Sequence, residues 1–98
     1  MIRRYANRFS DTNIDPCEVM RIDSDTRLHV REMLALRNPE FRPHRSQQVW
    51  DITPDPKRVA FPIRLHKDGM WRDVEGRTYA LDDRPVKFVL LPVQMSPA

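Results

Sequence analysis

Residues 59–93 read VAFPIRLHKDGMWRDVEGRTYALDDRPVKFVLLPV, a series of short apolar segments separated by turn residues. At its start, apolar side chains fill every second position, at Val59, Phe61, Ile63 and Leu65. This alternation predicts a β-strand that places all four side chains on one face of a sheet. It is the strongest structural signal in the chain, so we expect the fold to be built on an antiparallel sheet that contains this strand.

The residues that follow this first strand predict a tight turn. Asp68 followed by Gly69 favours a two-residue type I′ hairpin loop, which would place His66 opposite Trp71. Pro62 has no amide hydrogen to donate to a neighbouring strand. We therefore expect the first strand to lie at an edge, or to be irregular, at that position.

A second tight turn follows at Glu75 and Gly76, which also predict a two-residue hairpin. After a longer turn, residues 86–93 should form the next strand. In this register, Phe88 is expected opposite Tyr79 as an aromatic cross-strand pair.

The predicted register divides the sheet into two faces. The face expected to form the core contains Val59, Phe61, Ile63, Leu65, Met70, Val74, Tyr79, Leu81, Val86, Phe88 and Leu90. The opposite face contains Arg64, His66, Trp71, Asp73, Thr78 and Lys87, with Val89, Leu91 and Val93 at its apolar end. The apolar end needs a cover, whereas the charged end is expected to remain open.

The first half of the chain predicts less regular structure. Residues 1–16 lack a sustained period and predict an irregular N-terminal arm, while residues 17–23 form a short candidate strand. Residues 25–37 contain many good helix formers and end before a proline, so they predict a helix. Residues 48–53 alternate again and predict another strand.

The predicted fold class is therefore α+β, an antiparallel meander of about four to six strands with one packed helix, in a single domain over residues 1–98. The alternative is a small all-β barrel. It arises because residues 27–36 also fit a strand, with Leu28 and Val30 at strand spacing.

Composition is that of a soluble globular protein, with 98 residues of which 40% are hydrophobic and 32% charged. The single cysteine, Cys17, excludes an internal disulfide framework. No apolar stretch reaches the roughly 20 residues of a membrane helix, and the N-terminal residues MIRRYANRF lack a signal-peptide core. We therefore expect a cytoplasmic protein that does not associate with membranes.

Arginine dominates the basic residues. The net charge is +3, and fourteen of the seventeen Lys and Arg residues are arginine. Planar guanidinium groups suit the recognition of carboxylates and phosphates, although an arginine-rich genome would give the same composition. The modest net charge and the fourteen acidic residues favour a protein partner over nucleic acid.

One cluster is the candidate binding site. It comprises Arg64, His66, Trp71 and Lys87 on the sheet face, with Arg42 and Arg45 in a proline-bounded basic loop. A tryptophan among cationic side chains offers a stacking plane and charged donors, which suit single-stranded nucleic acid or an acidic protein surface. The competing interpretation places Trp71 in the core, beneath that loop.

Motifs for catalysis or metal binding are absent from the sequence. The cysteine and the histidines lack metal-ligand spacing, no nucleophile or phosphate-loop motif occurs, and no cofactor is expected. The residues that could serve a small basic ribonuclease are Arg64, His66, Arg77, Tyr79 and Lys87. Residues 76–93, GRTYALDDRPVKFVLLPV, resemble the closing hairpin of RelE/ParE-like toxins, but the paired helices of that family are not evident.

The sequence thus favours a non-catalytic module that binds a partner protein through a sheet face and a basic loop. Binding of single-stranded nucleic acid through the same surface is the alternative, followed by a small basic ribonuclease toxin. Neither the identity of the partner nor the oligomeric state is indicated by the sequence.

Overall fold

The computed structural model describes residues 2–37 and 49–90 of the chain. These residues form strands, turns and connections, and no helix occurs among them. The strands are β1 (Tyr5–Phe9), β2 (Asn13–Ser24), β3 (Arg27–Glu32), β4 (Leu34–Arg37), β5 (Trp50–Thr53), β6 (Phe61–Leu65), β7 (Trp71–Arg72), β8 (Thr78–Asp82) and β9 (Phe88–Val89). The strands predicted at 17–23, at 48–53 and at the start of the quoted stretch are confirmed as parts of β2, β5 and β6.

Six of these strands close into an antiparallel barrel. Each pairs with the next in the order β1, β2, β3, β6, β7 and β8, and β8 pairs with β1 to complete the circle. Strands β4 and β5 form a separate two-stranded ribbon inserted between β3 and β6, and β9 extends the sheet along the first residues of β2. The alternative of a small all-β barrel is therefore confirmed, and the α+β fold class is wrong.

The helix predicted at 25–37 is replaced by β3 and β4. Leu28 and Val30 are fully buried inside the barrel, while the alternate residue His29 faces outward from β3. Two residues separated by two positions share one face of a strand but lie about 200° apart around a helix. Only the strand therefore buries both Leu28 and Val30, and this burial outweighs the helix propensity of the segment.

Residues 1–16 do not form the predicted irregular arm, because they contain β1 and the start of β2. On β1, Ala6 and Arg8 point into the barrel and Asn7 points outward. Only Ala6 of the two inward residues is apolar. The strand has no hydrophobic alternation because this end of the barrel interior contains charged groups.

The hairpin between β6 and β7 has a three-residue loop instead of the predicted two-residue loop. The Gly69 amide donates to the His66 carbonyl at 2.9 Å, and the His66 amide donates to the Met70 carbonyl at 2.9 Å. Gly69 has a left-handed φ of 85°, as expected for a type I turn followed by a glycine bulge. Leu65, and not His66, therefore lies opposite Trp71.

The same kind of turn recurs between β7 and β8. The Gly76 amide donates to the Asp73 carbonyl at 3.0 Å, and the Asp73 amide donates to the Arg77 carbonyl at 3.1 Å. Gly76 also has a φ of 85°, and Trp71 lies opposite Tyr79. Since a shift of one residue moves a side chain to the other face of a sheet, both turns direct Trp71 into the barrel.

The barrel interior confirms part of the predicted core. It is filled by Ala6, Cys17, Leu28, Val30, Ile63, Trp71 and Tyr79, with Ile2, Val19, Phe61, Leu65 and Leu81 packed against them. The predicted core residues that are instead exposed are Val59, Met70, Val74, Phe88 and Leu90, and Val86 is half-buried. Val59 precedes β6, and Met70 and Val74 lie at the turns. The sequence prediction therefore assigned to strands three residues that lie beyond the strand ends.

Phe88 does not pair with Tyr79, as the sequence predicted, but with Ile14 on β2. The chain after β8 crosses the outside of β1, where the Asn7 side chain donates to the Arg84 carbonyl at 3.1 Å. Because β8 already pairs with β7 and β1, it has no free edge for β9.

Pro62 lies where β6 is locally an edge. The Leu65 amide donates to the Thr26 carbonyl on the β3 side, and amide directions alternate along a strand, so the Pro62 nitrogen faces the β7 side. The ladder with β7 covers only Arg64 and Leu65. The missing amide hydrogen of Pro62 therefore removes no strand-to-strand hydrogen bond.

Candidate functional site

The structure separates the residues of the predicted binding cluster. Trp71 is only 8% exposed and belongs to the barrel core, so the interpretation of Trp71 as a core residue is confirmed and its role as an exposed stacking plane is wrong. Arg64 and His66 are exposed on the outer face of the barrel. Arg42 and Arg45 lie outside the described residues.

Lys87 belongs to a different part of the molecule. Its ammonium group lies 2.6 Å from Asp15 Oδ1 and 5.6 Å from the centre of the Trp50 ring. Its side chain is 16% exposed. Of the four cluster members that the structure describes, it thus brings together Arg64 and His66.

The outer face around Arg64 contains two arginines that sequence reasoning did not select. Arg27 on β3 lies directly opposite Arg64 on β6, and Arg64 lies directly opposite Arg72 on β7. Directly opposite residues share a face of the sheet, and their buried neighbours Leu28, Ile63 and Trp71 point inward. Arg27, Arg64 and Arg72 therefore form one row across three strands, the arginine row.

Both additional arginines were missed because of register. Arg27 lies in the segment that was predicted as a helix, and a helix would not have paired Arg27 with Arg64 on a neighbouring strand. The two-residue loop predicted at Asp68 and Gly69 places Arg72 opposite Leu65, on the face expected to form the core. A three-residue loop, made of a type I turn followed by glycine, pairs Arg64 with Arg72, whereas the two-residue type I′ loop does not.

Two of the three guanidinium groups are held by carboxylates at their outer sides. Arg27 Nε lies 3.3 Å from Asp23 Oδ2, and Arg72 Nη2 lies 2.7 Å from Asp68 Oδ2. Asp68 Oδ1 accepts the Met70 amide at 3.0 Å. This backbone hydrogen bond, together with Arg72, lowers the pKa of Asp68, so the carboxylate stays charged.

Arg64, in the middle of the row, has no ion-pair partner within residues 2–37 and 49–90. Like charges that lie directly opposite on neighbouring strands are destabilising, and here an unpaired cation is flanked on both sides by arginine. Asp23 and Asp68 offset the charges of Arg27 and Arg72, whereas no described carboxylate pairs with Arg64. The row is therefore a surface that an anionic ligand would stabilise.

Two shallow grooves adjoin the arginine row, with volumes of about 510 Å³ and 230 Å³. Arg64, His66 and Arg72 line both. The larger groove extends along the turn to Lys67 and Asp68, and the smaller one extends to Pro62, Asp73 and Val74. An extended ligand could therefore contact the guanidinium groups and, beside them, a small apolar patch.

Asp23 anchors the β2 side of this face. Its carboxylate lies 2.6 Å from His29 Nδ1 and 2.7 Å from Arg21 Nε, in addition to Arg27. One carboxylate thus contacts two guanidinium groups and one imidazole ring on β2 and β3. The positive surface consequently continues over four neighbouring strands of the barrel.

The opposite arrangement occurs at the charged end of the barrel interior. Arg8 Nη2 lies 3.3 Å from Asp15 Oδ2 and 3.1 Å from Glu32 Oε1, with only 12% of the Arg8 side chain exposed. Burial alone would raise the pKa of Asp15, but the hydrogen bonds from Lys87 and Arg8 lower it overall. These groups neutralise each other.

Tyr79 and Asp73 belong to the same end of the interior. The Tyr79 hydroxyl donates to Asp73 Oδ2 at 2.8 Å, and Arg77 Nε donates to the same oxygen at 2.7 Å. Burial of Tyr79, followed by its hydrogen bond to the Asp73 carboxylate, raises the pKa of the hydroxyl. Three of the residues considered for a ribonuclease, Arg77, Tyr79 and Lys87, are thus held in ion pairs or hydrogen bonds with Asp73 or Asp15.

Cys17 is fully buried in the core. Burial raises the pKa of its thiol to about 12, so it stays protonated and unreactive near neutral pH. In the part of the chain that the structure describes, no three histidine, cysteine or acidic side chains are grouped so that they could hold a metal ion.

Fold and site together define a small closed antiparallel β-barrel with a cationic outer face. Comparison with known proteins finds no matching protein-family model, and no match among curated proteins or solved structures. Over the described ranges, no helix is long and apolar enough to cross a membrane. The cytoplasmic location stays a prediction.

Proposed function

We propose that this chain is a non-catalytic binding module that holds an acidic segment of a partner protein against the arginine row. The observation that carries the proposal is Arg64, an exposed guanidinium without an ion-pair partner in the described residues, placed between two further arginines. A partner that supplies carboxylate or phosphate oxygens would remove the repulsion within the row and form charge-assisted hydrogen bonds.

The grooves favour a protein over nucleic acid as the partner. The described lining contains no tryptophan, tyrosine or phenylalanine, and Trp71 is inside the barrel, so the large aromatic rings typical of base-stacking surfaces are missing from this described lining. It does contain Val74, which is 90% exposed beside Arg72 and Pro62. A peptide can cover such an apolar group while its acidic side chains contact the arginines.

Single-stranded nucleic acid stays the second candidate, because guanidinium groups also bind backbone phosphates. The two candidates differ in what survives nuclease treatment and in salt dependence. A protein partner is retained after nuclease treatment, whereas nucleic-acid binding weakens steeply as salt is raised.

The test is capture of partners from the native host by the tagged chain, with and without nuclease. Arg64→Glu should abolish capture because it reverses the central charge of the row. Arg84→Glu is the matched control, since Arg84 is also exposed but lies on the connection after β8. Equal capture by both variants, or capture that nuclease removes, would contradict the proposal.

A further inference from the structure

We propose that the arginine row recognises a phosphate monoester, carried by a phosphorylated side chain of the partner protein. This inference rests on the proposed function and names the chemistry of the group that the row binds. It follows from the number, spacing and existing partners of the three guanidinium groups.

The spacing of the row suits a single compact anion. Arg27, Arg64 and Arg72 lie directly opposite one another on adjacent strands, which are about 4.8 Å apart, so an anion bound at Arg64 lies within side-chain reach of both neighbours. A carboxylate carries a single negative charge on two oxygens that lie in one plane. A phosphate monoester has three free oxygens and a charge near −2, so it can accept hydrogen bonds from several arginines at once.

Asp23 and Asp68 orient the two outer arginines of the row, Arg27 and Arg72. Asp23 contacts Nε of Arg27 at 3.3 Å, and Asp68 contacts Nη2 of Arg72 at 2.7 Å. Each carboxylate restrains its guanidinium and leaves the remaining N–H groups of that guanidinium available. Among residues 2–37 and 49–90, no carboxylate pairs with Arg64, and the charge of Arg64 is the one that the anion would meet.

The surroundings indicate a phosphate on a peptide. Nucleic-acid backbones carry phosphodiesters with one charge each, and sequence-independent binding to single strands combines them with stacked bases. Among the described residues, His66 is the one aromatic side chain in the lining of the two grooves. Pro62 and Val74 lie at one side of Arg64 and Arg72. They can contact an apolar residue that follows or precedes the phosphorylated one.

The first experiment measures fluorescence anisotropy with three probes of equal length: a peptide carrying one phosphoserine, the same peptide with glutamate at that position, and a single-stranded oligonucleotide with a 5′-phosphate. The phosphoserine peptide should bind at least about tenfold more tightly than the glutamate peptide. Arg64→Lys should lose about tenfold of that affinity, because lysine cannot form the bidentate fork, whereas Arg84→Lys should lose none.

Equal affinity for the phosphoserine and glutamate peptides, tighter binding of the oligonucleotide, or no effect of Arg64→Lys would overturn the inference. A second experiment separates it from the proposed function. If phosphatase treatment leaves partner capture intact and still sensitive to Arg64→Glu, the phosphate inference is wrong and the proposed function stands. If the phosphoserine peptide binds through Arg64 but no protein is captured, the proposed function is wrong.

Discussion

Arg8 and Arg64 are the same type of residue in two opposite settings. Arg8 points into the barrel, is 12% exposed and contacts Asp15 and Glu32. Arg64 points outward, is exposed, and has only arginines directly opposite it on the neighbouring strands. The comparison separates an arginine whose ion pairs lie inside the barrel from an arginine that is exposed and has no ion-pair partner among the described residues.

Burial of the Arg8 charge is unfavourable by itself, and the contacts of Arg8 with Asp15, Glu32 and Tyr79 offset this cost. Burying a charge is unfavourable unless it is paired and hydrogen-bonded. Burial alone would lower the pKa of Arg8, but its hydrogen bond to Tyr79 and the charge of Glu32 raise the pKa overall. The outer row has no such compensation at Arg64, so it is expected to contribute to binding and not to stability.

The largest effect on stability is expected from Trp71→Ala. Trp71 fills the barrel centre, so its truncation should lower the free energy of unfolding by about 4 kcal/mol. Arg72→Ala, one position along β7 and facing outward, should change it by less than about 0.5 kcal/mol. Denaturant unfolding of both variants measures this difference, and similar losses would contradict the inward register of Trp71.

The next effect in size is the difference between the two arginines themselves. Arg8→Met should destabilise the fold by about 3 kcal/mol, because Asp15 and Glu32 lose a shared buried cation. Arg64→Met should leave stability within about 0.5 kcal/mol or raise it slightly by relieving repulsion in the row. Equal losses in urea titrations of the two variants would break the comparison.

A smaller effect is expected at Tyr79. Tyr79→Phe removes one hydrogen bond to the buried Asp73 carboxylate, while Arg77 still donates to it, so the loss should be about 1.5 kcal/mol. Thr78→Val, the outward neighbour on β8, serves as the control. An unchanged unfolding free energy for Tyr79→Phe would show that the interior network contributes little.

Strand positions were predictable wherever the two faces differ in polarity. Phe61, Ile63 and Leu65 alternate with polar or proline residues, and β6 forms at that place. β1 could not be found in this way, because Arg8 occupies an inward position that the pattern assigns to an apolar residue. A buried charge places a polar residue where the alternation predicts an apolar one. Asp15 on β2 and Glu32 on β3 stabilise the buried Arg8.

The candidate site was predictable only in part, for a reason of turn geometry. Arg64 and His66 are exposed, as the sequence predicted, and their role in binding stays a prediction. The glycines at 69 and 76 end type I turns and do not form type I′ loops, so each hairpin shifts by one residue. That shift moves Trp71 from the surface to the core and Arg72 from the core face to the surface. Loop length, which a glycine alone does not specify, decided the composition of the site.

The central claim is that Arg64 contributes to binding and not to the fold. The most direct measurement is the affinity for the captured partner together with the urea midpoint, on the same preparations of the unmodified chain, Arg64→Glu and Arg84→Glu. The account predicts that Arg64→Glu loses about 2 kcal/mol or more of binding free energy with an unchanged midpoint, and that Arg84→Glu changes neither. Unchanged affinity in Arg64→Glu, or a loss of affinity that accompanies a lowered midpoint, would contradict it.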